Sequence, residues 1–189
     1  LCAVSGGPDS VVMLHALKEI NEIQQADWKI HVAHINHGLR GKEGAEDQDF
    51  ARGLAEKLGM PFHTTTVNVK KIREKKKQST EEAGRNVRHQ WLHETAMKIK
   101  AQKIALAHNL DDQSETILHR ILRGTGLRGL KGMSPIRLIS RKHDLFLVRP
   151  MLEVERFEIE AFLNERNLPS KTDMTNLDTT FTRNKIRHK

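Results

Sequence analysis

The chain reads as an α/β fold, a doubly wound parallel sheet of about five strands with helices on both faces. Three observations predict it. Short apolar runs alternate with segments of helical period along the whole length. The first run, Leu1-Cys2-Ala3-Val4, passes into a helical pattern through the small-residue turn Ser5-Gly6-Gly7-Pro8-Asp9-Ser10. The chain's 189 residues, 37% of them hydrophobic, suffice to bury one core, and no apolar run reaches the roughly 18 residues of a membrane span.

The elements follow in order. After the turn, Val11, Val12, Leu14, Leu17 and Ile20 recur at helical spacing, and Trp28 to Ile35 reads as a second strand. A helix from about Ala45 to Leu58 is stopped by Gly59 and Pro61, and Phe62 to Val69 reads as a third strand. Ser79-x-x-Glu82 is a capping-box signature opening a long helix to about Lys100. Lys103 to His108 is a fourth strand. Asp111 to Arg123 is a helix with Asp111 as a good N-cap, Ile117, Leu118, Ile121 and Leu122 expected to face inward, and Gly124 at its end. Gly124 to Gly132, with its four glycines, is expected to be a mobile loop; Asp144 to Arg149 is a fifth strand, and Glu153 to Asn167 a last amphipathic helix.

Composition narrows the function. The mean hydropathy is −0.59, the net charge +8 and the pI about 9.7, a balance that favours a polyanionic partner such as nucleic acid. Cys2 is the sole cysteine, so neither an internal disulfide nor a multi-cysteine zinc or iron-sulfur site is available. The cytoplasm is the expected compartment, with no role at a membrane. The oligomeric state is not set by the sequence; a homodimer is one option. The abrupt start within a strand and the stop at Arg187-His188-Lys189 are what an excerpt from a longer protein would show.

Parallel sheets bind ligands at the carboxyl ends of their strands. Ser5 to Ser10, Asn36 to Arg40, His108 to Glu115 and Arg149 all follow strands, so they should gather at one edge. The two glycines let the backbone approach a phosphate, helix-terminal amides attract it, Ser5 and Ser10 add hydroxyls, and Asp9 offers a carboxylate for magnesium. No Gly-Lys-Ser or Gly-Lys-Thr closes this loop, so it is not a Walker A motif. His34-Ile35-Asn36-His37-Gly38-Leu39-Arg40 can line an adenine or phosphate pocket, or form an ordinary polar turn; lacking a third ligand, His34 and His37 do not make a zinc site. Asp112 and Glu115 share a helix face that can hold an ammonium group or a magnesium ion, although acids in a first turn also gain roughly 0.3 to 1 kcal/mol from the helix dipole. Arg85 can clamp a phosphate or pair with Glu81. The basic run Lys70, Lys71, Arg73, Lys75, Lys76, Lys77 can contact phosphates or form a solvated face.

Ser-Gly-Gly-x-Asp-Ser at a strand-to-helix junction resembles the PP-loop of the N-type ATP pyrophosphatases. Further motifs follow it in order: His34 to Arg40, Glu82-Ala83-x-Arg85, Ala107-His108-x-x-Asp111-Asp112-Gln113-x-Glu115-Thr116, Arg120-x-x-Arg123-Gly124-x-Gly126-x-x-Gly129-Leu130-x-Gly132-Met133, Arg149-Pro150 and Arg183-Asn184-x-Ile186-Arg187. Together they make the chain similar to the N-terminal catalytic domain of the bacterial tRNA(Ile)-lysidine synthetases, from Ser5 to Arg187. Departures are small: Gly84 stands where that family usually has alanine, and Phe181 where tyrosine is common. The family's C-terminal tRNA-binding domains are absent from the sequence.

The resemblance implies an adenine nucleotide alpha hydrolase-like fold over residues 1–189. It also implies a ligase that uses ATP and Mg2+ to adenylate the wobble cytidine of tRNA(Ile) with a CAU anticodon, then joins free L-lysine to C2, releasing AMP and pyrophosphate. It assigns ATP to Ser5, Gly6, Gly7, Asp9, Ser10, His34, Asn36 and Arg40, and the metal to Asp9. Asp112 and Glu115 would orient the lysine, with one of them or His108 taking its proton; Arg85 would meet the α-phosphate, and Arg183 the reacting nucleotide. Other readings stay open: another PP-loop adenylating enzyme, such as a tRNA thiolase or an amidotransferase, or a nucleotide-sensing module without turnover.

Overall fold

Residues one apart along the central strands pack into different cores, as the alternation of a pleated sheet requires. Cys2, Val4, Val32 and Ala105 pack on one face with Val11, Leu14, Ala51, Leu54, Ile159 and Leu163. Leu1, Ala33, Ile104, Leu106, Leu145 and Leu147 pack on the other with Leu92 and Ala96. The computed structural model describes residues 1–126 and 129–171.

The strands are β1 (Cys2–Ala3), β2 (Val32–Asn36), β3 (Phe62–Thr66), β4 (Lys103–Ala105), β5 (Ile136–Ser140) and β6 (Leu145–Val148), in the order β3-β2-β1-β4-β6-β5. All neighbours are parallel except β5 and β6, which pair antiparallel. The helices are α1 (Pro8–Gln24), α2 (Lys42–Lys57), α3 (Val69–Lys76), α4 (Thr80–Lys98), α5 (Leu110–Leu122) and α6 (Arg156–Glu165). From β1 the chain builds outward to β2 and β3, then returns to add β4 on the other side. The crevice above the ends of β1 and β4 is therefore the topological switch point.

Several boundaries differ from the sequence expectation. β2 begins at Val32 rather than Trp28, because the Asn21 side chain grips the backbone of Trp28 at both N (2.8 Å) and O (3.1 Å) and takes those groups away from the ladder. The third strand ends at Thr66, since Asn68 caps α3 by accepting from the Lys71 amide at 3.1 Å. β4 is shorter than expected, although Leu106 N still donates to Val148 O at 3.0 Å. The last helix starts at Arg156, where Glu155 and Glu158 form a reciprocal cap. β5 was not expected: its residues are mostly exposed and carry no alternating pattern.

Helix α5 departs most. Asn109, not Asp111, is its N-cap, and the Asp112 carboxylate returns the bond to the Asn109 amide. Leu118, Ile121 and Leu122, expected inward, are 48%, 49% and 72% exposed, and the buried residue is Glu115. The apolar stripe identified a greasy face, but burial depends on a neighbour that periodicity cannot supply. The expected Gly124 to Gly132 loop contains a 3-10 turn, Gly129–Lys131, and Arg120 Nη1 clamps it through Gly129 O (3.0 Å) and Gly132 O (2.9 Å).

Helix α4 begins as expected at Ser79, whose hydroxyl accepts from the Glu82 amide at 3.1 Å. Within it, a Cβ on Gly84 would meet His37 Nδ1 at 3.8 Å and Val69 Cγ1 at 4.0 Å, ordinary contact distances. Gly84→Ala should therefore add about 0.4–1 kcal/mol, by reducing the backbone entropy lost on folding. Urea unfolding checks this; an unchanged or lower midpoint would contradict the space seen here.

Candidate functional site

The turn after β1 is built around Ser10. Its hydroxyl donates to Gly7 O at 2.9 Å and accepts from the amides of Gly6 (3.2 Å) and Ser5 (3.3 Å). Those amides thus already converge on a single oxygen, the arrangement a phosphate oxygen would need. Gly6 has φ of +96°, in the region that favours glycine, and a Cβ there would meet Phe50 at 3.2 Å. α1 then opens on Pro8 with no side-chain cap, so its first-turn amides face the same edge.

The strand ends enclose a cavity of about 440 Å³, lined among others by Ser5, Asp9, Ser10, His34, Asn36, His37, Arg40, Arg88 and His108. It holds most of the expected site in one place. His34 is buried and its Nδ1 donates to Val4 O at 2.9 Å, so Nε2 is its acceptor nitrogen. Burial holds His34 below the usual histidine range, against the opposing pull of that bond. Burial also takes His37 down to about 4, with Arg88, His34 and Arg40 adding to the shift. Both rings are neutral at pH 7. Asn36 accepts from the Gly38 amide at 2.9 Å and braces the turn, and Arg40 Nη2 reaches Asp47 at 2.8 Å.

Asn109 connects the two acid-bearing segments. It is 3% exposed; its Nδ2 donates to Asp9 Oδ1 at 3.2 Å, its Oδ1 accepts from the Asp112 amide at 2.9 Å, and its own amide donates to Asp112 Oδ2 at 3.3 Å. The glycine turn and the first turn of α5 are therefore one unit. Burial raises the Asp9 carboxyl above the usual range; Asp112 pushes it further up, while Arg156 and the Asn109 bond pull it down. Arg156 Nη1 sits 3.2 Å from Asp9 Oδ1. Glu115 lies one turn beyond Asp112 and is 6% exposed. Gln113, from the same block, holds the glycine-rich loop: it donates to Met133 O at 3.0 Å and accepts from Met133 N at 2.6 Å.

Positive charge collects around His89 on α4. His89 is brought down to about 4 by burial, then by Arg88, Arg85, Arg137 and Arg149. Arg88 lines the cavity, whereas the expected Arg85 is exposed, one turn earlier on α4, and among the described residues pairs with neither Glu81 nor another acid. Arg183 lies outside the described residues. Asn109 and Arg149 were expected at the ligand edge but given no role, and Arg88 and Arg156 were not expected there. Asn109 carried a usable signal, directly preceding an acid-rich first turn; Arg156, over 140 positions from Asp9, carried none.

Among the described residues no three His, Cys, Asp or Glu side chains cluster to hold a metal ion. No helix among them is long and apolar enough to cross a membrane.

The PP-loop domain family matches residues 1–189. The chain is 42% identical over 185 residues to the tRNA(Ile)-lysidine synthase of Clostridium acetobutylicum and 45% identical over 184 residues to that of Clostridioides difficile. These alignments cover 98% and 97% of the chain but 38% of each relative, so the chain spans well under half their length. In three dimensions it resembles the U34-tRNA thiolase NcsA from Methanococcus maripaludis, with a TM-score of 0.74 at 19% identity, covering 98% of this chain and 62% of that one. That likeness concerns the fold.

Proposed function

The chain belongs to the PP-loop domain family, and on that premise we propose that it is the ATP-dependent catalytic part of a tRNA(Ile)-lysidine synthase acting in the cytoplasm. Its substrates are ATP, free L-lysine and tRNA(Ile) with a CAU anticodon. The cytidine O2 attacks the α-phosphorus of ATP and pyrophosphate leaves. The lysine ε-amine then adds at C2, loses a proton, and AMP departs with the O2 oxygen.

One observation carries the reading. Asn109 joins the glycine turn that suits a triphosphate to Asp112, the first of the two acids that suit an ammonium group. In the first step the amides of Ser5 and Gly6 and the open end of α1 meet the charge that builds on pyrophosphate, with Ser10 moving its hydroxyl aside for the stronger acceptor. His34 presents an acceptor nitrogen, suited to an exocyclic amine such as that of adenine. Arg88, which lines the cavity, and Arg85, one turn earlier on α4, suit the α-phosphate and the incoming strand. In the second step Asp112 and Glu115 hold the lysine ammonium and take its proton.

Asp9 fits a magnesium ion delivered with the triphosphate. It has Asp112 beside it to repel, a repulsion that a divalent cation relieves, and phosphate oxygens would complete the ligand set. When bound, the metal would neutralise charge on the leaving pyrophosphate.

The thiolase alternative is disfavoured by the cysteine inventory. Cys2, the sole cysteine, is buried in β1 and burial pushes its thiol up, away from a reactive thiolate. Incubating the full-length protein with ATP, labelled lysine and tRNA, then analysing the nucleosides, tests the proposal. Label in one modified cytidine is expected; ATP bound but unconsumed would favour a sensing module.

The basic run forms α3 and its lysines are exposed. Replacing Lys75, Lys76 and Lys77 by alanine should weaken tRNA binding and lower its salt slope by about 1 or more. Filter binding at several salt concentrations decides; an unchanged slope would return α3 to a solvated face.

A further inference from the structure

Arg149 follows β6 at the ligand edge and is 8% exposed, yet no carboxylate among the described residues neutralises it. Its Nη1 donates to Ser134 O at 2.6 Å and its Nε donates to His108 Nδ1 at 3.2 Å. The charges around it are alike in sign: burial first, then Arg137 and Arg85, hold it below the ordinary arginine value. A buried guanidinium with no counter-ion among the described residues is an expensive way to brace a loop, so its contact with His108 calls for a reason.

The chemistry of that contact is one-sided. Guanidinium has donors and no acceptor, so His108 Nδ1 must offer its lone pair, and in the neutral ring the proton then sits on Nε2. Protonating Nδ1 would set one N–H against another and bring two cations into contact. His34, across the same cavity, is held the opposite way, with its proton on Nδ1 by the bond to Val4.

We propose that Arg149 is a positioning residue that fixes His108 as the Nε2–H tautomer, so that His108 donates to a phosphoryl oxygen of the substrate and does not serve as the base for the amine. The oxygen's identity rests on the lysidine reading; the tautomer does not. The amine's proton then falls to Asp112 or Glu115.

The test is nitrogen NMR of the full-length protein labelled with ¹⁵N-histidine, recorded where the ring is neutral. His108 is expected to show an unprotonated Nδ1 and a protonated Nε2. Arg149→Met, which keeps a long stem but no donor, should give a mixture of tautomers and slow pyrophosphate release about 10- to 100-fold, the usual effect of losing an orienting partner. Arg149→Lys, which retains a donor and the charge, should recover part of both; the lysine requirement should not move in either variant. A wild-type spectrum with Nδ1 protonated overturns the proposal without any variant, which covers the case in which Arg149→Met fails to fold. So does an Arg149→Met protein with wild-type tautomer and rate. The expected spectrum from a protein that releases no pyrophosphate would overturn the lysidine reading and leave the role of Arg149 in place.

Discussion

Asp9→Asn is expected to cut pyrophosphate release by at least about 100- to 1000-fold, the scale of losing a group that stabilises charge in a transition state, while leaving the fold no less stable. Both halves follow from the same environment. Asp9 lines the cavity at the end of the glycine turn, and burial with Asp112 beside it raises its carboxyl above the usual range. A group whose folded pKa is raised adds stability below its unfolded value, and that stability is lost as pH rises through the folded value. At neutral pH the ionised Asp9 is therefore a cost to the fold. Asparagine keeps the shape, removes that cost, and forfeits only the half-exposed ion pair with Arg156, typically 1 kcal/mol or less. Thermal unfolding at pH 7 should give an equal or higher midpoint, with a smaller gain in acid. A large loss of stability alongside lost activity would mean that Asp9 holds the fold rather than the reaction.

Glu115→Gln should separate the two chemical steps. Glu115 is a buried acid one helical turn beyond Asp112 on α5. Charge-assisted hydrogen bonds contribute about 1.5–3 kcal/mol, so losing one to a lysine ammonium should raise the lysine requirement about 10- to 150-fold. Pyrophosphate release should stay within about threefold of wild type. Steady-state lysine titrations and single-turnover pyrophosphate release give the two numbers. Equal damage to both would place Glu115 in a scaffold shared by the steps.

These two effects show which parts of the molecule the sequence made legible. Local chemistry was readable: the Ser5 to Ser10 turn, the Ser79 cap and the alternation of strands and helices each depend on residues a few positions apart. So was the gathering of Ser5, Asp9, His34, Asn36 and His108 at one edge, because a parallel sheet puts every strand end there. Contacts across long separations were not. Asp9 meets Asn109 and Arg156, and His108 meets Arg149, through packing that no periodicity encodes. β5 escaped because its edge position leaves it exposed, without the half-buried alternation that marks a strand. Leu118, Ile121 and Leu122 misled for the converse reason, since an apolar stripe says nothing of what lies against it. Arg85 and Arg88 sit one turn apart on α4, and only Arg88 lines the cavity.

The central claim is that phosphate chemistry and amine chemistry occur in one site and in a fixed order, with the RNA base activated first. The most direct test mixes the full-length protein with tRNA and ATP labelled in the α-phosphate, first without lysine. Label should accumulate on the RNA while pyrophosphate is released, and lysine added afterwards should discharge it as AMP. Release of AMP at the same rate without lysine, or label found on the amino acid instead of the RNA, would contradict the account.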